Sequence, residues 1–426
     1  MFKKIKIKNY KKLSKDKKID IYNKPKFVYI PLIIGTFKDI TILVKKGEKV
    51  FKGSYLGKTK GKYKMPIISS VSGIVVDFVS KPYINGELVK CVKIENDFKE
   101  KSVQVEKIDK ITHEDFVDLL KYNGIIGMGG TGIPTYLKYD TDLKIKTLIV
   151  DAVESEPFIT SDYEIIKNYS EEILECIDMI QEIEKIDEAI IAISENEVEL
   201  LKTLNNYIGT YLNIKIVTVE DFYPSGWERF LIKNILNVTY DESPIEKGIV
   251  VNNVATIYAI HEVLKKNKPL TERIVTFSGD MFLDPKNVMV KIGTEASEVI
   301  DKLVGYNSDS KINFIAGGPM MGTSMKTDDV IITANLNGIV VSKDSNDRET
   351  NCIRCGKCAS VCPYGLCPLF IRENLNNNKK LKKYMPEKCI ECGLCSYICP
   401  SKIPVMDFVK EAKKNNVERQ DYEQNS

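Results

Sequence analysis

The chain has 426 residues, of which 43% are hydrophobic, and its 62 basic and 59 acidic residues leave a net charge of only +3. This length favours several domains over a single core, and the balanced charge provides no overall field that would attract nucleic acid. The sequence has two histidines, His113 and His261, which argues against a histidine-based triad and a histidine-rich metal site. It has no apolar run near the roughly 20 residues needed to cross a bilayer, which argues against a transmembrane helix.

Residues 1–27 are rich in lysine and have little apolar periodicity. We predict a basic, solvated N-terminal arm, and docking on an acidic partner or a membrane surface is the alternative. Met1 leads directly into this polar stretch without the features of a signal peptide, so we expect the cysteines not to form disulfides.

Residues 28–98 contain short β-type runs separated by glycine turns, at residues 44–50, 53–57 and 70–76. The pattern resembles the barrel-sandwich hammerhead of lipoyl and biotinyl carrier domains. Lys64 is the only nearby candidate for an attachment lysine, and it lacks the usual surrounding residues. We therefore predict a structural module without a swinging arm, with Cys91 as a packed side chain.

Residues 112–265 alternate between helical patterns and apolar strands, which predicts an α/β domain with a mainly parallel sheet. The strand candidates are residues 148–150, 189–193 and 214–217, and Cys176 lies at a core position of the helix between the first two. Residues 266–335 return to a β-rich pattern, residues 340–410 form a cysteine-rich module, and residues 411–426 form a polar tail that we expect to be disordered.

A glycine-rich loop near the start of the α/β region contains Gly127, Gly129, Gly130 and Gly132. Its backbone N–H groups could approach a phosphate or a planar ring without hindrance from Cβ atoms. A plain turn is the alternative. The loop differs from a dinucleotide-binding fingerprint, because no strand immediately precedes it and no acidic residue in a strand follows about 20 residues later.

Eight of the eleven cysteines form two runs of identical spacing, each closed by proline: Cys352, Cys355, Cys358 and Cys362, then Cys389, Cys392, Cys395 and Cys399. This is the spacing of a two-cluster bacterial ferredoxin, in which the fourth cysteine of each run binds the other cluster. We therefore predict one [4Fe-4S] cluster on Cys352, Cys355, Cys358 and Cys399, and a second on Cys389, Cys392, Cys395 and Cys362. Structural zinc, the alternative, fits this spacing poorly. Cys367 is either a buried thiol or a redox-active thiol that faces a partner.

Further motifs occur in a particular order along the chain: the glycine loop, Lys138, residues 154–157, 223–228, 251–256 and 317–322, and then both cysteine runs. In this order the chain resembles the flavin-binding, NADH-oxidising subunit of respiratory complex I, and more closely the C subunit of the Rnf ferredoxin:NAD oxidoreductase. The closer resemblance spans nearly the whole chain. It implies a multidomain α/β protein with a β-rich barrel-sandwich hammerhead, a central α/β flavin domain, a β-grasp domain of the soluble-ligand-binding (SLBB) type at residues 266–335, and a C-terminal helical ferredoxin-like domain.

Residue by residue, the resemblance implies that the four glycines surround FMN and that Lys138 lies near phosphate or the nicotinamide nucleotide. Glu154 and Glu156 would line the nicotinamide side as catalytic residues. The remaining cofactor-binding residues implied in this way are Tyr223, Glu228, Asn252, Asn253 and Thr256, the last three at the phosphate end of FMN. The nicotinamide must stack on the flavin for hydride transfer, and the flavin can then release electrons singly to the clusters.

The resemblance also implies an enzyme subunit that passes electrons between NADH and a protein partner, cytoplasmic and peripheral to a membrane Rnf-type complex. The expected partners are Rnf-type membrane subunits, ferredoxin or a soluble reductase, and no nucleic acid. One alternative is a soluble relative that donates electrons to a reductase such as proline reductase. The other is a non-enzymatic cluster relay without nucleotide, suggested by Asp151, where these families carry Asn, and by Trp227, where a small or acidic residue is expected.

Overall fold

The computed structural model describes residues 3–61, 63–104, 108, 110–307, 311–344 and 348–424. Residues 1–2 of the predicted arm and residues 425–426 of the predicted tail lie outside the described residues. Eight strands precede the first helix: β1 (Asp20–Tyr22), β2 (Phe27–Pro31), β3 (Ile40–Ile42), β4 (Lys49–Val50), β5 (Tyr55–Thr59), β6 (Pro66–Ile68), β7 (Gly73–Pro82) and β8 (Leu88–Asn96). Strands β2, β8, β7 and β4 form one antiparallel sheet, and β3, β5 and β6 form another.

The two small sheets pack as a sandwich around Val28, Leu56, Val75 and Ile94, all of which are buried. Cys91 is buried in β8, as predicted. The same apolar core continues into the next domain through Phe116. The hammerhead and the α/β domain therefore share one core.

The α/β domain consists of α1 (His113–Tyr122), β9 (Thr147–Ala152), α2 (Ser161–Glu184), β10 (Glu188–Ser194), α3 (Val198–Asn205), β11 (Ile214–Val219), α4 (Glu228–Leu236), β12 (Ile249–Asn253) and α5 (Val254–Lys266). Helix α1 begins at Thr112, whose side chain forms a capping box with Asp115. The strand order is β11-β10-β9-β12 and every pair is parallel. The predicted strands and their parallel arrangement are confirmed, and Cys176 is buried in α2.

The third domain contains β13 (Glu272–Ser278), β14 (Lys286–Lys291), α6 (Ala296–Val299), β15 (Ile312–Ala316), β16 (Thr323–Met325) and β17 (Gly338–Lys343). Its mixed sheet has the order β1-β14-β13-β17-β15-β16. Strand β17 lies beyond the predicted domain boundary at residue 335. Strand β1, at one edge of the sheet, comes from the N-terminal segment.

The expectation of a solvated N-terminal arm is wrong. Strand β1 pairs with β14, and Lys11 and Ser14 are buried. The Ser14 hydroxyl lies 2.8 Å from that of Thr160 at the start of α2. High lysine content concealed these contacts, because most of the lysines are exposed while Ser14 and Pro25 are buried and Ile5, Ile7 and Ile19 are half-buried.

The cysteine-rich module contains α7 (Lys357–Ser360), α8 (Pro368–Glu373), α9 (Asn378–Tyr384), α10 (Leu394–Tyr397) and α11 (Val405–Gln424). The expectation of a disordered tail is wrong, because α11 runs through it. Ala412 is buried, and Lys413 forms an ion pair of 2.8 Å with Glu391. Within the described ranges, no helix is both long and apolar enough to cross a membrane.

Candidate functional site

The glycine-rich loop lies at the carboxyl edge of the parallel sheet, beside the point where the strand order reverses. The chain proceeds from β9 to β10 and β11, and then returns to the other side of β9 with β12. Asp151 on β9 is in register with Asn253 on β12. In open α/β sheets this crevice is the usual ligand site. A Cβ atom on Gly129 would lie 3.2 Å from the Cβ of Asn253, so the loop approaches the strand end closely.

The loop is held by α5 on one side and by the third domain on the other. The backbone N–H of Met128 donates to the Thr256 hydroxyl at 3.0 Å. The Asn335 side chain donates to the Gly130 carbonyl at 2.9 Å and would lie 3.0 Å from a Cβ on Gly132. Gly130 has a φ of +121° and no atom within 4 Å of its Cβ position, so open space lies beside the loop. The backbone of the loop is therefore open to a ligand on this side.

Lys138 ends a short 3-10 helix, Thr135–Lys138, that follows the loop, and it is half-buried. Its ammonium donates to the Val251 carbonyl, and burial lowers its pKa, while the nearby Glu228 and Asp151 act in the opposite direction. Burial raises the pKa of Asp151 well above its usual range, and this side chain accepts from the Val153 N–H at 3.0 Å. Burial therefore disfavours the charged form of Asp151, the form that would repel a flavin ring.

Three other residues expected at the site already have partners within the chain. The Asn252 side chain donates to the Tyr139 hydroxyl at 2.5 Å. Asn253 caps α5 by accepting from the Ala255 N–H at 2.9 Å. Glu228 accepts from the Tyr240 hydroxyl at 2.6 Å. Their partners all lie within the chain, so these contacts hold the Asn252, Asn253 and Glu228 side chains in fixed positions.

Glu154 is anchored at the N-terminus of α2. Its carboxylate accepts from the Asp162 N–H at 3.0 Å and the Ser161 hydroxyl at 3.2 Å. Lys11 lies 3.4 Å away, and both side chains are buried, with 8% and 7% exposure. Sequence reasoning missed Lys11, because nothing distinguishes it from the surrounding lysines.

A cavity of about 40 Å³ lies at the carboxyl ends of β9, β10 and β11, and its walls include Asn9, Lys11, Glu154, Asn196 and Tyr223. The N-terminal segment forms part of this wall.

Glu156 joins the flavin domain to the turn at residues 317–322. It accepts from the backbone N–H groups of Met320 at 3.2 Å and Met321 at 2.8 Å, and the Tyr223 hydroxyl lies 3.5 Å away. Burial raises the pKa of Glu156 to about 7. The sequence placed residues 317–322 among the family motifs, and the structure adds that this turn holds Glu156.

Each predicted set of four cysteines surrounds one cavity. A cavity of about 30 Å³ is lined by Cys352, Cys355, Cys358 and Cys399. A second, of about 20 Å³, is lined by Cys362, Cys389, Cys392 and Cys395. Where the chain is described, no three metal-ligating side chains converge as they would on a single ion. Four sulfurs around a cavity suit a cubic cluster. Cys367, the N-cap residue of α8, is half-buried.

The second cysteine cavity lies directly against the flavin domain. Tyr223, Met320, Cys392 and Leu394 belong to one buried apolar cluster. Gly393 approaches so closely that a Cβ atom there would lie 2.3 Å from the Met320 carbonyl oxygen. In contrast, Cys352 and Cys355 of the first cavity are exposed. The arrangement could carry electrons from the crevice through the second cavity to the surface.

Three family models match the chain. They describe an RnfC barrel sandwich hybrid domain at residues 2–99, a Nuo51 FMN-binding domain at residues 120–262 and a 4Fe-4S dicluster domain at residues 351–403. The C subunit of the Na(+)-translocating ferredoxin:NAD(+) oxidoreductase complex of Acetobacterium woodii is 31% identical over 366 residues, which cover 83% of this chain and 82% of that protein. The C subunit of the proton-translocating ferredoxin:NAD(+) oxidoreductase complex of Clostridium ljungdahlii is 30% identical, and the match covers 85% of this chain and 81% of that protein.

Among solved structures, an NAD+-reducing [NiFe]-hydrogenase in the H2-reduced state matches with a TM-score of 0.52 and 16% identity. The match covers 71% of this chain and 62% of that chain, so this chain spans less than two thirds of the hydrogenase chain. At this identity the likeness concerns the fold alone.

Proposed function

This chain belongs to the family of Rnf complex C subunits, and on that premise we propose that it passes electrons between NADH and a protein partner through FMN and two [4Fe-4S] clusters. The relatives and the family models confirm the family resemblance inferred from the sequence. They also confirm the prediction of an iron–sulfur flavoprotein that takes part in electron transfer. NADH as substrate, the number of clusters and the partner belong to the proposal. So does the SLBB type of the third domain.

One observation carries the proposal: the second cysteine cavity shares a buried apolar cluster with Tyr223 of the flavin domain and with Met320, in the third-domain turn that holds Glu156. An electron-transfer protein needs its centres close together and shielded from water, and a buried contact between the two sites favours both. When bound, FMN exchanges a hydride with NADH and single electrons with the clusters.

The residues of the chain would bind and orient these groups. The glycine loop presents N–H groups and open space to FMN, while Asn253 and Thr256 fix the loop against α5. Lys138 lies beside β12, where its side-chain nitrogen donates to the Val251 carbonyl. We assign Glu154 and Glu156 to the nicotinamide side, where their hydrogen bonds hold the walls of the crevice in place.

We further propose that the chain is a peripheral, cytoplasmic subunit of an Rnf-type membrane complex. The names of its relatives, which describe subunits of such complexes, support this assignment. The exposed Cys352 and Cys355 mark the first cysteine cavity as the place where a partner would exchange electrons.

The test is anaerobic purification followed by flavin and iron assays and addition of NADH. One FMN, about eight irons per chain and bleaching of the visible spectrum by NADH would support the proposal. Iron without flavin, and no response to NADH, would favour the relay without nucleotide. Fractionation of cells then separates a membrane-complex subunit, found with the membranes, from a soluble donor to a reductase.

A further inference from the structure

The surface beside the first cysteine cavity is formed by α8 and α9. Leu369 of α8 lines that cavity. The next residue, Phe370, is 45% exposed, and its ring packs against that of Tyr384 in α9, with the ring centroids 5.6 Å apart. A molecule that contacts α9 on this side would therefore lie one helix away from the first cysteine cavity.

Helix α9 is attached to the cluster module along one side and carries lysines on the other. Leu381 is buried in the apolar cluster that also contains Ile371 and Ala412. The exposed lysines of this helix and of the segment after it are Lys379, Lys380, Lys382, Lys383 and Lys388. Among the described residues, no carboxylate forms an ion pair with Lys379 or Lys383. A partner can therefore meet these two charges without breaking an ion pair within the chain.

The cluster module is the positive end of the chain. Residues 348–424 contain 14 basic and 9 acidic residues, a formal side-chain charge of +5, whereas the whole chain has a net charge of +3. The rest of the chain is therefore negative on balance. Bound clusters would add negative charge inside the two cysteine cavities, and the walls of these cavities, as far as the chain is described, do not include α9. A dense positive surface attracts negatively charged proteins and speeds their association.

The same surface has an apolar centre. Phe370 and Met385, which directly follows α9, are both exposed, and so is Ile353 in the wall of the first cysteine cavity. Protein interfaces place aromatic side chains and methionine at their centre and charged side chains around it. An anionic membrane would also attract the lysines, but lipids cannot exchange an electron with the cavity that α8 borders. An acidic protein with a redox centre makes use of both features.

We propose that the lysines of α9, together with Phe370 and Met385, form the docking site for an acidic electron-carrier protein. This inference rests on the proposed function, and it names the kind of partner that meets the first cysteine cavity. One electron would pass at each encounter: the cluster in that cavity is oxidised as the flavin or iron–sulfur centre of the carrier is reduced, or the reverse, and no bond forms or breaks. The lysines guide and orient the carrier, while the apolar side chains hold it.

The test uses two probes of opposite charge: flavodoxin, an acidic protein that carries single electrons on a flavin, and cytochrome c, a basic electron carrier. The full-length, cluster-containing protein is compared with the double variant Lys379→Glu/Lys383→Glu. The matched control is Lys247→Glu/Lys302→Glu, which changes the net charge equally at two exposed lysines of other domains. Binding is measured by calorimetry at ionic strengths of about 0.01 M and 0.15 M, between which the Debye length falls from about 30 Å to about 8 Å.

The unaltered protein should bind flavodoxin more tightly than cytochrome c, and this binding should weaken as salt is added. The α9 double variant should lose affinity for flavodoxin by about 10- to 100-fold at low ionic strength, within the range that electrostatic steering contributes. The control should keep its affinity. When the protein is reduced with dithionite and freed of the excess, electron transfer to flavodoxin should slow by a similar factor in the α9 variant, while the iron content stays unchanged.

Equal losses in the two double variants would overturn the inference, because net charge alone would then explain the binding. Failure of the unaltered protein to bind flavodoxin at low ionic strength, or equally tight binding of cytochrome c, would also overturn it. Phosphatidylserine vesicles that need Lys379 and Lys383 for binding, with flavodoxin indifferent to both, would assign the surface to a membrane instead. Neither the binding nor the dithionite measurement needs NADH or FMN. A protein that binds flavodoxin through α9 but lacks flavin and does not respond to NADH would therefore contradict the proposed function and leave the docking site in place.

Discussion

The contact between Gly393 and Met320 predicts that two equivalent glycines respond differently to the same substitution. Gly356 and Gly393 follow the second cysteine of their respective runs and have similar left-handed backbones, with φ of +71° and +76°. A Cβ atom on Gly356 would meet nothing within 4 Å, whereas one on Gly393 would lie 2.3 Å from the Met320 carbonyl oxygen. Gly356→Ala is therefore a matched control for Gly393→Ala.

The magnitude follows from the two contributions. The left-handed conformation costs a non-glycine residue about 1–2 kcal/mol, and both variants lose this amount. Only Gly393→Ala must also separate the cluster module from the turn at Met320. Real Cβ contacts are essentially never shorter than 3.0 Å, so the separation is at least about 0.7 Å, from 3.0 minus 2.3. Overpacking of this kind costs a further amount of about 1–3 kcal/mol.

The assay is anaerobic thermal unfolding of both variants, followed by cluster absorbance, together with the rate at which NADH bleaches the clusters. Gly393→Ala should unfold at a lower temperature than Gly356→Ala, and it should show slower bleaching with normal iron content. Equal losses in the two variants, with equal bleaching rates, would refute the conclusion that the contact between Gly393 and Met320 connects the turn that holds Glu156 to the second cysteine cavity.

Three further predictions concern buried charge and the assignment of cluster ligands. Burial raises the pKa of Glu156 from 4.5 to about 7, so the folded state retains a proton that the unfolded state releases between these values. Stability should therefore fall by about 3 kcal/mol as pH rises from 4.5 to 7, and Glu156→Gln should remove this part of the pH dependence of unfolding. Cys352 and Cys399 are predicted to bind the same cluster, so replacing both by serine should remove that cluster alone and leave about four irons. Cys352 and Cys362 are predicted to bind different clusters, so replacing both by serine should remove both clusters and leave no iron. Lys11→Met should destabilise the protein by about 3–5 kcal/mol in denaturant unfolding, because it leaves a buried carboxylate without its cation.

The last two predictions have direct controls. Lys12 is exposed, and Lys12→Met should change stability by less than about 0.5 kcal/mol. A similar loss in both lysine variants would mean that the ion pair with Glu154 contributes little. Retention of four irons by the Cys352 and Cys362 double variant would show that each run binds its own cluster.

The regular elements of the central sheet were predictable from sequence, because a parallel strand buried on both faces leaves a continuous apolar run. Residues 148–150 and 189–193 are such runs, and they became β9 and β10. The grouping of the cysteines was also predictable, since the x2-x2-x3 spacing carries its own geometric rule.

The residues that complete the site were less accessible, since their roles arise from contacts between distant parts of the chain. Lys11 meets a carboxylate 143 positions later, and Asn335 meets a loop 205 positions earlier. The tail was misjudged for a related reason: its polar composition hides the few positions, such as Ala412, that pack against the cluster module.

Rapid mixing of the anaerobic protein with NADH tests the central claim most directly, with flavin and cluster absorbance recorded together. The account predicts that flavin absorbance falls first and that cluster bleaching follows in the same molecules without any added mediator. Flavin reduction that leaves the clusters oxidised, although dithionite can reduce them, would contradict an electron path from the flavin crevice through the second cysteine cavity.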